Sequence, residues 1–229
     1  MAEEIVVKDK DIVVPGEIIA KGMSFLPGNG AYRDQDNVIA KRLGMVSIEG
    51  KVIKLIPLTG TYSPKLKDRI VGRVIDVLMQ GWRMDINCPY SAVLSLKDGT
   101  AEFIPRGADL TQYFGLGDYL VTQIVNVTSQ KLIDVSMRGP GLRKLKGGRI
   151  LQISPQKVPR VIGKDGSMVS MIKEATGCDI VVGQNGVIWL SGEPEGEVIA
   201  VNAIKKIEED AHLSGLTDKI AVLLKGGAK

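Results

Sequence analysis

The chain has 229 residues, 44% of them hydrophobic and 24% charged, with a formal net charge of +4. That length allows one to three small domains with real cores, and that charge content excludes a disordered polyelectrolyte. The basic balance leans modestly toward anionic partners, while a 4% aromatic content leaves few platforms for base stacking.

From the N-terminus to about Lys67, short β-like runs such as "DIVVPGEIIA" and "KVIKLIPL" are broken by Pro15-Gly16, by "PGNG" from Pro27 and by Gly50. Val and Ile between frequent turn residues predict a small antiparallel β domain over 1–67. Over 68–138 five strand candidates follow: "RIVGRVIDVL", "WRMDIN", "YSAVLSL", "DYLVTQIVNV" and "LIDVSM". The stretch between the third and fourth is long enough for a helical turn or two. Five strands with a helical insert after the third fit an OB-fold, a small closed Greek-key barrel. Trp82, Met84 and Ile86 alternate with Arg83, Asp85 and Asn87, so one face is apolar and the other polar. On this pleat Trp82 is read as a core residue.

Residues 139–148 read as an extended, mobile linker rich in glycine. Arg138, Arg143, Lys144 and Lys146 cluster at this linker without an acid among them, and we assign them a phosphate-contacting role.

Residues 149–213 follow the order strand, helix, helix, strand, strand, helix. "RILQIS" is a strand; "PQKVPRVI" is a short helix, with Ser154 at its cap and Pro155 in its first turn, where the missing N–H costs nothing. "GKDG" follows, and then "SMVSMIKEATG", a helix stopped by Gly177. "CDIVVGQN" and "GVIWLSG" form a hairpin through the turn signal Asn185-Gly186. The last helix is amphipathic, with Val198, Ile199, Val201, Ile204 and Ile207 on its inner stripe. The tail over 214–229 is too short for a domain and either docks or stays loose.

Features of other function classes are missing. Cys88 and Cys178 are far apart with no CxxC, which argues against a zinc site or a disulfide framework and for a reducing, cytoplasmic setting. His212 sits near a charged helix end without a serine or cysteine partner and reads as solvated. HExxH, GxSxG and P-loop spacings are absent, so neither catalysis nor a cofactor is expected. "MAEEIVVKDK" does not read as a signal peptide, and no apolar run approaches the ~20 residues of a membrane span.

The 149–213 segment, through "VIGKDG" set between two helices and followed by "SMVSMIKEATGCDIVV", resembles a type I KH domain (βααββα). The resemblance implies a GxxG loop that clamps a backbone stretch of about four nucleotides. Its residues here are Gly163, Lys164, Asp165 and Gly166, with Arg160 on the preceding helix. Glycines let the chain approach a phosphate, the following helix offers its N-terminal N–H groups, Lys164 adds charge and Asp165 subtracts it. On this reading the amides of Gly163 to Gly166 supply most of the grip.

The middle segment resembles an S1-type OB domain, on "DRIVGRVIDVLMQGWRMDI" and "FGLGDYLVTQIVNV". Such domains often carry an aromatic on the binding face where this chain has Arg83, so backbone electrostatics would carry more of the binding. OB geometry puts Gln80, Arg83 and Lys131 in or beside the loops, and Arg106 in the insert.

The first segment, on "VVPGEIIA", "LPGNGAYRD" and "LGMVSIEGKVIKLIPLTGTYSPKLKD", resembles the N-terminal domain of exosome cap subunits. In this order the three segments resemble the archaeal exosome RNA-binding cap subunits of the Rrp-four type. The resemblance implies a non-catalytic subunit that binds single-stranded RNA, in three copies on a ring of RNase PH-like subunits where the catalysis resides. It also implies that the N-terminal domain docks on the ring.

Two other classes are open to the same modules. A transcription elongation or antitermination factor with S1 and KH modules usually carries two KH domains of the other topology, whereas one GxxG appears here. A phosphorolytic exonuclease with these modules carries KH before S1, after long catalytic domains for which this chain has no room.

Overall fold

The computed structural model describes residues 4–100, 104–105, 107–211 and 215–226. Arg106 and His212 lie outside the described residues. The chain divides into two compact units, Met1–Gly60 and Thr61–Lys229.

The first unit contains β1 (Glu4–Ile5), β2 (Ile12–Val13), β3 (Ile18–Lys21), β4 (Leu26–Pro27), β5 (Ala31–Asp34), β6 (Asn37–Ala40), β7 (Gly44–Glu49) and β8 (Val52–Pro57). They form two sheets, in the orders β1-β3-β6-β5 and β2-β7-β8-β4. Turn residues interrupt the apolar runs so often that no single long sheet can form, and the strands split into two sheets sharing one core. Val13, Ile19, Val38, Val46, Ile53 and Leu55, drawn from both sheets, fill it. Adjacent Ile19 and Ala20 are both fully buried because the β3–β6 register shifts between Ile18 and Ala20, an irregularity that turns a second side chain inward. All pairings here are antiparallel except β4 with β8.

The second unit begins with β9 (Arg69–Leu78), β10 (Gly81–Asp85), β11 (Ala92–Ser95), the one-turn helix α1 (Leu96–Gly99), β12 (Tyr119–Val127) and β13 (Ile133–Ser136). β9 pairs with β10, β10 with β11, β11 runs parallel to β13, β13 pairs with β12, and β12 returns to β9. The circuit closes a five-stranded OB barrel, as the strand pattern predicts. Tyr62 belongs to it: its ring is buried and its hydroxyl donates to Asp68 Oδ2 at 2.6 Å. Burial first, and then the Asp68 carboxylate, push the Tyr62 pKa well above the usual phenol range, so it stays a donor. Trp82, Met84 and Ile86 are fully buried while Arg83 and Asp85 are exposed. The Trp82 indole donates to Phe114 O at 2.9 Å and meets the Phe114 ring edge-on at 4.9 Å, which makes it a core residue.

The next segment departs from the expected mobile linker. Lys144–Leu145 form β14, which pairs with Tyr119 and Leu120 at the edge of β12. Leu145 is buried, so an apolar anchor holds the basic stretch on the barrel.

The KH portion comprises β15 (Arg149–Gln152), α2 (Val158–Ile162), α3 (Ser167–Thr176), β16 (Asp179–Val182), β17 (Val187–Ser191), α4 (Pro194–Glu209) and a further helix, α5 (Leu216–Gly226). Its antiparallel sheet has the order β15-β17-β16. A 3-10 turn over Pro155–Lys157 precedes α2, and Ser154 stands at its cap position without a side-chain capping bond. Gly177 closes α3 in the left-handed conformation, as predicted. On α4 the buried stripe is Ala200, Ala203, Ile204 and Ile207, whereas Val198 is 49% exposed. The alanines join the core that α4 shares with α3 and α5, while Val198 lies off the stripe. The tail docks: Leu216, Ile220 and Leu224, one turn apart, enter the same core as α3 and α4.

Barrel and KH portion are joined by a polar clamp inside an apolar seam. The seam is Val71, Val121, Leu145, Val187 and Trp189. The clamp is Asn185, fully buried in the β16–β17 loop. Its amide nitrogen donates to Val71 O at 2.8 Å and Ile86 O at 2.9 Å, and its oxygen accepts from Val71 N at 3.3 Å. Asn87 Nδ2 donates back to Asn185 O at 2.9 Å, and Gln184 N donates to Arg69 O at 2.8 Å. The loop therefore serves as more than a hairpin turn. Gly183 is required there, since a Cβ would stand 2.3 Å from the Asn185 oxygen and 2.7 Å from Val71 N.

Replacing Asn185 by Ala leaves two carbonyls and one N–H of the barrel without partners. The expected cost is roughly 2–4 kcal/mol. Urea unfolding followed by tryptophan fluorescence checks it, since Trp82 and Trp189 both belong to this unit. An unchanged midpoint would exclude the clamp.

Candidate nucleic-acid interface

The GKDG turn connects α2 to α3. Gly163 adopts φ 75° and ψ 179°, Asp165 φ 52° and Gly166 φ 81°. At Gly163 both conformation and space require glycine, because a Cβ would meet Met168 N and Met168 Cβ at 2.7 Å. The expected grip by the turn's own amides is reduced. Gly163 N donates to Pro159 O, Gly166 N to Gly163 O, and Ser167 N to Lys164 O. Lys164 and Asp165 are exposed at the tip, and Arg160 is exposed one turn earlier on α2.

Arg160, Gly163 and Lys164 line a cleft of about 660 Å³. Gly215 and the first residues of α5, Leu216 to Asp218, also line it. These residues belong to the tail over 214–229, and the i, i+4, i+8 spacing of Leu216, Ile220 and Leu224 is the sequence signal for their helix.

On the barrel, Gln80 lines a second cleft, of about 890 Å³, with Met79, Lys97 and Asp109. Met79 at the hairpin tip is 97% exposed and was not singled out from the sequence. Arg83 is exposed on the outer face, with Asp76 opposite on β9 and Val93 opposite on β11. Lys131 is exposed in the β12–β13 turn with φ 63°. Arg83 and Lys131 line neither cleft.

The four cations of the connecting segment divide into two pairs. Lys144 forms an ion pair with Asp118. Arg143 forms an ion pair with Asp179 and lies 5.9 Å over the Trp189 ring. Lys173 reaches the same Asp179 at 3.2 Å. The Arg143 and Lys144 charges are thus already matched within the fold, a role the sequence could not show because their partners are distant in the chain. Arg138 and Lys146 are exposed and form no ion pair with the described residues. Among the described residues no group of three or more His, Cys, Asp or Glu side chains could hold a metal ion. No described helix is long and apolar enough to cross a membrane.

Comparison with known proteins accounts for this arrangement. Family models match in chain order: the exosome complex exonuclease RRP4 N-terminal region over residues 12–49, the RRP4 S1 domain over 61–103 and a KH domain over 148–196. The exosome complex component Rrp4 of Methanothermus fervidus is 44% identical over 93% of this chain and 95% of its own length. The chain belongs to the Rrp4 family. The Rrp4 of Pyrococcus abyssi is 40% identical over 97% of this chain and 85% of its own. A crystal structure assigned as an exosome complex RNA-binding protein superposes with a TM-score of 0.67, at 37% identity, over 74% of this chain and 98% of that one.

The shared Asp179 gives this member of the Rrp4 family a pH dependence. Partial burial raises its pKa, but the hydrogen bonds and charges of Lys173 and Arg143 outweigh burial and hold it below the usual carboxylate range. A lowered folded pKa contributes stability above the unfolded value, and that stability is lost as pH falls through the folded value. Stability of the second unit should therefore decline below about pH 4. Asp179→Asn should flatten that decline in urea titrations at pH 3 and pH 6; an unaltered pH profile would remove Asp179 from the account. The pair is half exposed, so added salt should shrink the effect.

Proposed function

We propose that this protein is the non-catalytic RNA-binding cap of an exosome and guides single-stranded RNA toward the ring that degrades it. The observation that carries the reading is the S1-type barrel and KH portion clamped into one unit, with the cation-lined GKDG turn exposed, in a member of the Rrp4 family. Gln80, Arg83 and Lys131 on the barrel, Arg106 in the insert, Arg138 and Lys146 beside the connecting segment, and Arg160 and Lys164 on the KH portion are the proposed phosphate contacts. Arg143 and Lys144 act mainly by fixing the two modules.

Contacts through charge rather than base edges hold any sequence, which suits a strand that must keep moving. With Trp82 in the core and Arg83 outside, the outer face of β10 has no stacking ring, so salt should weaken binding steeply. Several weak holds on one assembly add through effective concentration, and three copies on a hexameric ring of RNase PH-like subunits would multiply them. In this reading the N-terminal unit docks on the ring, catalysis belongs to the ring, and the protein works in the cytoplasm. No observation favours the elongation or antitermination alternative.

Lys164→Asp should weaken binding of a single-stranded RNA by the full chain roughly three- to tenfold at low salt, with an unchanged unfolding midpoint. Equal affinity would remove the GKDG turn from the RNA path. Deleting residues 1–60 should abolish co-purification with RNase PH-like subunits while leaving RNA binding measurable. Persistent assembly would refute ring docking by this unit.

A further inference from the structure

The cleft beside the GKDG turn is also lined by the start of α5, a helix outside the six-element KH order. Leu216, Ile220 and Leu224 of α5 are all buried in the core shared with α3 and α4. The first turn of α5 is therefore fixed at the cleft wall. It brings Asp218 into the lining that Arg160 and Lys164 also occupy. All three side chains are exposed, and none forms an ion pair within the described residues. Asp165, the acid visible within the motif, is not part of that lining.

We propose that Asp218 sets how strongly the GKDG cleft holds RNA, acting as a built-in counter-charge to Arg160 and Lys164. The inference rests on the reading of this cleft as an RNA contact. A carboxylate in the same lining competes with an incoming phosphate for the field of the two cations, and it repels the phosphate directly. At an exposed site such a counter-charge is worth little, so the cleft is weakened rather than closed. A hold attenuated in this way releases a strand readily, and its strength is set by α5 as well as by the motif.

The test measures binding of a fluorescently labelled oligouridylate to the full chain by anisotropy, over a series of salt concentrations, for Asp218→Asn, Lys164→Asp and the unaltered protein. The Asp218 side chain is exposed, so the amide should fold as the parent does, with urea unfolding as the check. Asp218→Asn is expected to bind roughly two- to fivefold tighter at low salt and to lose affinity more steeply as salt rises. If Lys164→Asp weakens binding while Asp218→Asn binds no tighter than the parent, the counter-charge role is overturned and the RNA cleft stands. If neither variant changes affinity, the cleft is not an RNA contact and both ideas fall. Weaker binding by Asp218→Asn would make Asp218 a direct acceptor for the RNA and would equally overturn the proposal.

Discussion

A single primary amide, buried where barrel and KH portion meet, organises the second unit. Asn185 can donate twice and accept, and all three capacities are met by backbone groups of Val71 and Ile86. A polar side chain inside an apolar seam is favourable only when its bonds are made, so the seam tolerates one docking register. Val187 and Trp189 of the KH sheet then meet Val71, Val121 and Leu145, and the orientation of both modules follows.

That clamp divides the basic residues into two kinds. Arg143 and Lys144 sit on the connecting segment and answer Asp179 and Asp118, so their charge is neutralised where it stands. Arg83, Lys131, Lys146, Arg160 and Lys164 stay at the surface. A net charge of +4 on the chain is small. What matters for a polyanion is which cations are left unmatched and whether they share a rigid frame. The Trp82 indole, committed to Phe114, is withheld from the surface of that frame.

The barrel was legible because period-2 alternation and turn residues are local signals: the candidate "RIVGRVIDVL" is β9 itself, and the Trp82, Met84 and Ile86 face is the buried one. The KH order was legible for the same reason, down to Gly177 at the end of α3. What depended on distant partners was not. Asn185-Gly186 reads as a turn, yet the function of Asn185 lies in residues about a hundred positions away. Lys144 and Leu145 look like linker because a strand of two residues has no periodicity to detect. The hydropathy of Val198 points to the inner stripe of α4, yet it is Ala200 and Ala203 that are buried there. In the N-terminal unit the strands were visible, but their partition into two sheets was not, since pairing is a tertiary choice.

The short strand β14 also bears on how such chains can vary. Leu145 is held in the seam, and Arg149 starts the next sheet only a few residues later, so the connection between the modules is short. Ordinary interdomain connectors absorb insertions at small cost. Here one added residue ahead of Leu145 would swing it to the opposite face of the strand and put Lys144 in its place. The register of Leu145 against Tyr119 is therefore tied to the geometry of both modules, and length variation among relatives should collect in other loops.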